Sequence, residues 1–381
     1  MPTLPKKLLL KHGLIVTALS ITIAGCSKQP TPEQTLINTE LDRVIVPIHQ
    51  HFEEQTAQLS QQATAFCSDQ RNPDSLETLR EQWLLSMQSW QQVMAIDFGP
   101  IKEHNQAWKI QFWPDKKNLI KQKTLKLLAS DSKIDGDKIE KASVVIQGLS
   151  ATEYLLYDRQ SLVNAESDFN SLYDTSTTQG QRRCDMLMAV TDHSHRVAQH
   201  MAERWVGNDE EQGYADIYRS FGEDNVDYPT ANDAIGTLIQ SMVSSLEKIK
   251  KDKIGGPLGY NAKTKLVRPY LVEAWRSQQS LQLIDANLEA IDQLLNAGLL
   301  EYISAKPGGA ELAAKIKQQL ADTQFAASVI KQSLFEAVND ADGKAQTEDL
   351  YRQVTLLLRL LKKETVDTLG ITLGFNSNDG D

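Results

Sequence analysis

Residues 142–157 read Ala-Ser-Val-Val-Ile-Gln-Gly-Leu-Ser-Ala-Thr-Glu-Tyr-Leu-Leu-Tyr, and Glu153 is their only ionisable group short of the tyrosines. Apolar residues lie around almost the whole helical wheel of this run. Such a helix is buried on most sides, so the chain must build other helices around it. A carboxylate in that setting is paired, protonated, or waiting for a cation or polar ligand. Gly148, Ser150 and Glu153 are the leading candidate binding residues. Ser150 and Glu153 share a helix face at i, i+3. Glycine inside a helix costs about 1 kcal/mol against alanine, so Gly148 marks a close backbone approach or a kink.

The rest of the chain agrees with an all-α fold. Thr31-Pro32-Glu33 opens a long first helix carrying Leu36, Leu41, Val44, Ile48, Phe52, Leu59 and Phe66, with a kink expected at Pro47. Asn72-Pro73 reads as N-cap and first helical position. Leu76, Leu79, Trp83, Met87, Trp90 and Met94 follow at spacings of three and four. Residues 97–117 read as a loop with an aromatic centre. Further helices are expected over 117–130, 137–158, 179–206, 232–251, 266–298, 309–339 and 345–368. No strand alternation is evident, and no repeat of about 20–50 residues. The domain reading is a leader over 1–25, a tether over 26–32, a helical bundle over 33–206, a polar connection over 207–231 and a second bundle over 232–381. Each bundle resembles a four-helix bundle, and a structural duplication is a plausible origin.

The N-terminus reads as a targeting segment. Lys6, Lys7 and Lys11 precede an apolar stretch over 14–23 that is too short to anchor a chain across a bilayer. It closes with Ile23-Ala24-Gly25-Cys26, the pattern of a bacterial lipoprotein signal. A mature chain beginning at Cys26 would carry several acyl chains, enough for firm attachment. Ser27, in place of an aspartate, favours the outer membrane over the inner. The expected location is therefore the periplasmic side of the outer membrane.

Without the three leader lysines the chain holds 37 basic and 50 acidic residues, a net charge of −13. That balance argues against a nucleic-acid partner. Cys67 and Cys184 remain after the leader, and in an oxidising compartment they are expected to pair.

Other chemistry is sparse. There is no HExxH and no G-x-S-x-G. His200 with Glu203, the nearby Asp192, His193 and His195, and His49 with Glu53 have helical ligand spacings, but Arg196 and Arg204 make the first group read better as a solvated face. No metal ligand set is assigned. Trp113 and Asp115, on an aromatic and charged loop, are candidate pocket residues. Arg268 and Arg276 cluster with Glu273, Trp275 and Ser277 at the expected start of a second-half helix. Either arginine would suit Glu153 as a partner; pairing with Glu273 is the local alternative.

The run Gly148-Leu149-Ser150-Ala151-Thr152-Glu153 resembles the G-x-H-x-x-E region of imelysin-like periplasmic proteins, a family that carries a peptidase label after insulin-cleaving metallopeptidases. Phe112-Trp113-Pro114-Asp115-Lys116-Lys117-Asn118, Arg182-Arg183-Cys184, Gly256-Pro257-Leu258-Gly259 and the ending from Leu373 to Asp381 resemble the lipoprotein branch of that family. The resemblance implies two helical bundles, a motif groove near their interface and a link to iron uptake. This chain departs from the motif at Ser150, where the family has histidine, and serine is a poor ligand for a divalent metal. The resulting expectation is a lipid-anchored binding or accessory protein of iron uptake, leaning away from catalysis and with no cofactor assigned beyond the alternative of iron or another divalent metal. Its expected partners are the membrane and an outer-membrane iron transport system. The alternatives are a metal-dependent peptidase and a structural partner of an outer-membrane transporter.

Overall fold

The computed structural model describes residues 1–2, 29–68, 72–158 and 172–374. The leader over 3–25, Cys26 and the end of the chain beyond Gly374 lie outside the described residues. What is described is all-α, without sheet. The main helices are α1 (Pro32–Glu40), α2 (Val46–Ser68), α3 (Pro73–Val93), α4 (Leu119–Leu128), α5 (Gly148–Tyr157), α6 (Thr178–Val206), α7 (Tyr214–Arg219), α8 (Ala231–Lys248), α9 (Ser280–Leu294), α10 (Gly309–Ser328) and α11 (Ala341–Arg359).

Local chemistry sets many of the helix starts. Thr31 with Gln34, Asn72 with Ser75 and Thr230 with Asp233 form reciprocal capping boxes, and Pro32 and Pro73 occupy the first helical positions. Thr177 caps α6 and Asp340 caps α11. Ahead of Pro47, which has no N–H to give, the chain winds as a π segment, Leu41–Ile45. Further π segments follow α8, α9 and α11.

In the first half, α2 packs between α3 and α6, and α5 lies against α3 and α6. Trp83, Trp90, Trp205, Phe52 and Phe66 are fully buried there. Cys67 at the end of α2 is bonded to Cys184 on α6. In the second half, α10 packs on α9 and α11, and α8 packs on α11. The halves meet where α9 lies along α3, and one continuous apolar core runs through both. α1 packs on α8 and on the π segment Leu295–Leu299, so the start of the chain sits with second-half elements. Within 207–231, α7 contributes the buried Tyr218, whose hydroxyl donates to Ala234 O at 2.8 Å.

Three expected helices are broken. The stretch 137–158 divides into Gly136–Glu140, a 3-10 turn Val144–Ile146, and α5. The break falls at Gly148, which has φ +69°; a Cβ there would lie 2.2 Å from Ile110 O. Gly148 thus begins a helix, and the close approach is by the backbone of 109–110. The expected helix over 266–298 starts only at Ser280, and 266–279 form an irregular strap holding one short 3-10 turn. The helix expected over 309–339 stops at Ser328 and resumes as Leu334–Ala337.

Candidate functional site

Residues 148–156 of α5 are all buried, as their all-round apolar pattern predicts. A buried helix end must satisfy its carbonyls from outside. Leu155 O accepts from Tyr173 Oη–H at 2.7 Å and from Arg183, and Leu156 O accepts two guanidinium bonds from Arg80 at 2.8 and 3.0 Å. Trp83 Nε1–H donates to Leu149 O at 2.9 Å. The helix is therefore held rigidly, and with it the direction of Glu153.

Glu153 is 6% exposed. Its Oε1 accepts two hydrogen bonds from Ser277, one from the backbone N–H and one from the hydroxyl, each 3.0 Å. Burial pushes its pKa above the ordinary carboxylate range, while the Arg276 charge and the Ser277 bonds pull the other way. Arg276 contributes its field and its backbone N–H, but the hydrogen bonds of its guanidinium go elsewhere. Its Nε donates to Asp158 at 3.1 Å and its Nη2 to Asn118 Oδ1 at 2.7 Å. The guanidinium lies over the rings of Trp275 and Tyr154, 4.4 and 5.4 Å from their centroids.

Glu273, in the same strap, takes neither arginine as its partner. It is ion-paired with Lys253 at 2.7 Å, both side chains being 2% exposed. Its Oε1 accepts from Gln111 Nε2 at 2.8 Å. Lys253 Nζ also donates to Gln91 Oε1 at 2.8 Å and Asn287 Oδ1 at 2.6 Å. The ion pair is thus wrapped in amides from both halves, which compensate part of its desolvation. Lys253 reaches it from the π segment Ile249–Gly255.

The strap is consequently clamped at Glu273, Arg276 and Ser277. It also holds left-handed residues without glycine, Ala274 at φ +49° and Gln278 at φ +63°, beside Lys265 at φ +53°. Backbone strain of this kind persists where surrounding structure over-determines it, and it clusters at ligand clamps.

Between this strap and residues 115–121 lies a cleft of about 690 Å³. One wall is aromatic: Tyr270, Trp275 and Phe335 contact one another with centroids 5.0 to 6.1 Å apart. The other side carries Lys116, Lys117 and Lys121, with Arg276 and Asp158 at the back. Asp115 reaches the cleft, but its carboxylate accepts from Leu119 N–H and Ile120 N–H at 2.7 and 2.9 Å, starting α4.

The residues singled out from sequence are thus only partly together. Asp115 and Arg276 line the cleft, and Glu153 stands behind its strap. Ser150 is buried on α5. Trp113 lines a separate hollow of about 380 Å³, with Trp108 and Lys248. Arg268 is exposed, its N–H donating to Pro257 O at 2.7 Å. Sequence reasoning missed Lys121, Asp158, Tyr270 and Phe335 as cleft residues and Lys253 as a buried partner. For Lys253 the only sequence signal was one lysine set against Ile254 and two glycines.

Of the histidines with ligand spacing, His49 is buried and its Nδ1–H donates to Ile45 O at 2.8 Å, and His193 Nδ1 lies 2.9 Å from Glu140. Among the described residues, no three His, Cys, Asp or Glu side chains converge as a metal site.

Fold and site together define an all-helical protein with a ligand-sized cleft lined by residues from both halves of the chain. The imelysin family model matches residues 45–361, and the chain belongs to that family. It is 27% identical over 251 residues to iron-regulated protein A of Synechococcus elongatus, a stretch covering 65% of this chain and 61% of that protein, less than two thirds of the relative's length. Its fold is similar to that of an imelysin-like protein from Psychrobacter arcticum 273-4, at TM-score 0.73 and 20% identity over 90% of this chain and 97% of that one. A candidate iron-regulated protein A precursor from Parabacteroides distasonis gives TM-score 0.69 at 15% identity, with the same coverage of 90% and 97%.

A metal centre at the family motif would need Glu153 and a histidine where this chain has Ser150. Glu153 Oε1 is engaged twice by Ser277, and no imidazole stands three residues before it. These residues do not fit a catalytic divalent metal.

Proposed function

We propose that the protein is a binding or accessory protein of bacterial iron uptake that works without catalysis and holds its ligand in the cleft between residues 115–121 and the strap 266–279. The observation that carries this reading is the construction of that strap. Three buried polar contacts and two left-handed residues fix one wall of a cleft large enough for a small organic ligand. In this reading Glu153 is a positioning residue that holds the wall. The iron link is supported by the similarity to iron-regulated protein A of Synechococcus elongatus.

The cellular address belongs to the same proposal: acyl chains on Cys26, outer membrane, periplasmic face. A Cys67–Cys184 disulfide suits an oxidising compartment. Fractionation of cells producing the wild type and Cys26→Ser tests it. Membrane association should be lost in the variant, and equal partitioning of the two would end the lipoprotein reading. The binding function is tested by growth with and without iron and by a melting-temperature screen of the mature protein. Induction under iron limitation is expected, with a stabilising ligand whose effect disappears in Trp275→Ala. A flat response to iron, or no stabilising ligand, counts against it.

A further inference from the structure

We infer that the cleft takes a planar aromatic anion, a ring system carrying a carboxylate; this rests on the reading above that the cleft is a ligand site. The charge of its lining runs against that of the whole molecule. The chain has a net charge of −10, yet the cleft gathers Lys116, Lys117, Lys121 and Arg276 against Asp115 and Asp158. The two acids are also committed, Asp115 to the N–H groups that begin α4 and Asp158 to Arg276. Lys117 is exposed and enters no ion pair among the described residues. A cation entering the cleft would meet surplus positive charge, and an anion would be drawn to it.

The opposite wall decides the rest of the ligand. Tyr270 is 65% exposed, and with Trp275 and Phe335 it lines the cleft with aromatic surface. The rings of Trp275 and Phe335 lie within 27° of parallel, so a flat ring can lie against either with little reorientation. A small inorganic anion would leave that wall and most of about 690 Å³ to water. An aliphatic polyacid would use the lysines and leave the aromatic surface of the cleft uncovered. Only a ligand with a flat apolar body and an anionic edge satisfies both walls.

The test is calorimetric titration of the mature protein with four probes. Three share one ring: 2-naphthoate, 2-naphthalenemethanol and 2-naphthylmethylammonium. The fourth, tricarballylate, is anionic without a ring. Naphthoate should bind at least tenfold more tightly than each of the others. Lys117→Glu, an exposed substitution that leaves the fold intact, should erase most of that preference. Trp275→Ala, checked for an unchanged helical spectrum, should weaken naphthoate at least fivefold. Tighter or equal binding of the neutral or cationic ring, still lost in Trp275→Ala, overturns the anion assignment and leaves the cleft as a ligand site. Equal binding of tricarballylate overturns the aromatic half. Binding of none of the four, or naphthoate binding that Trp275→Ala does not weaken, overturns both the ligand class and the cleft.

Discussion

Glu153 on α5 and Ser277 in the strap are joined by two hydrogen bonds to one carboxylate oxygen, from the Ser277 N–H and from its hydroxyl, each 3.0 Å. The contact crosses from one half of the molecule to the other and ties the most buried helix to the wall of the cleft. It makes Glu153 a structural anchor, and its removal should be read in stability first. Glu153→Ala leaves the Ser277 N–H buried without an acceptor and should cost about 2–4 kcal/mol. Glu153→Gln retains an acceptor oxygen and should cost less than half as much. Urea unfolding of the two variants decides; an alanine variant as stable as wild type would remove the anchor role.

Glu40 offers a pH test of a second buried acid. It is 0% exposed, neither carboxylate oxygen has a hydrogen-bond partner among the described residues, and burial pushes its pKa up to about 9 from an ordinary 4.5. The folded state therefore keeps a proton that the unfolded chain releases between those values. Its contribution is fully present below pH 4.5 and is lost as pH rises toward 9. Glu40→Gln abolishes this loss. The variant should exceed wild type in stability by about 4–5 kcal/mol at pH 8, and the difference should shrink toward zero near pH 4.5. A difference independent of pH would show that Glu40 is not protonated in the fold.

The Lys253–Glu273 pair should behave as a coupled unit. Either partner left alone is a buried charge, so Lys253→Met and Glu273→Leu should each lose about 3–5 kcal/mol. The double variant has no charge to strand and should recover much of that loss. A double-mutant cycle with additive losses would contradict the pairing.

The disulfide between Cys67 and Cys184 closes a separation of 117 residues between α2 and α6. Replacing both cysteines by serine should lower stability by about 3–5 kcal/mol, most of it through the greater freedom of the unfolded chain. Chemical unfolding with and without reductant gives the comparison, and coincident midpoints would mean that the bond adds nothing.

What the sequence determined by itself was the class of structure. Spacings of three and four, Asn72-Pro73 and Thr31 as starts, and the apolar wheel of 148–156 each act within a few residues, so an all-helical fold and a buried acid were legible without coordinates. The break at Gly148 was legible only as a glycine out of place; the backbone of 109–110 that presses on it is remote in sequence. The tertiary structure alone decided that Glu153 meets Ser277, 124 residues away, that Arg276 turns to Asp158, and that 266–279 is a strap and not a helix. Helical periodicity records which face of an element is buried. It carries no record of which remote side chain lies opposite, because that choice is made by the packing of the two halves.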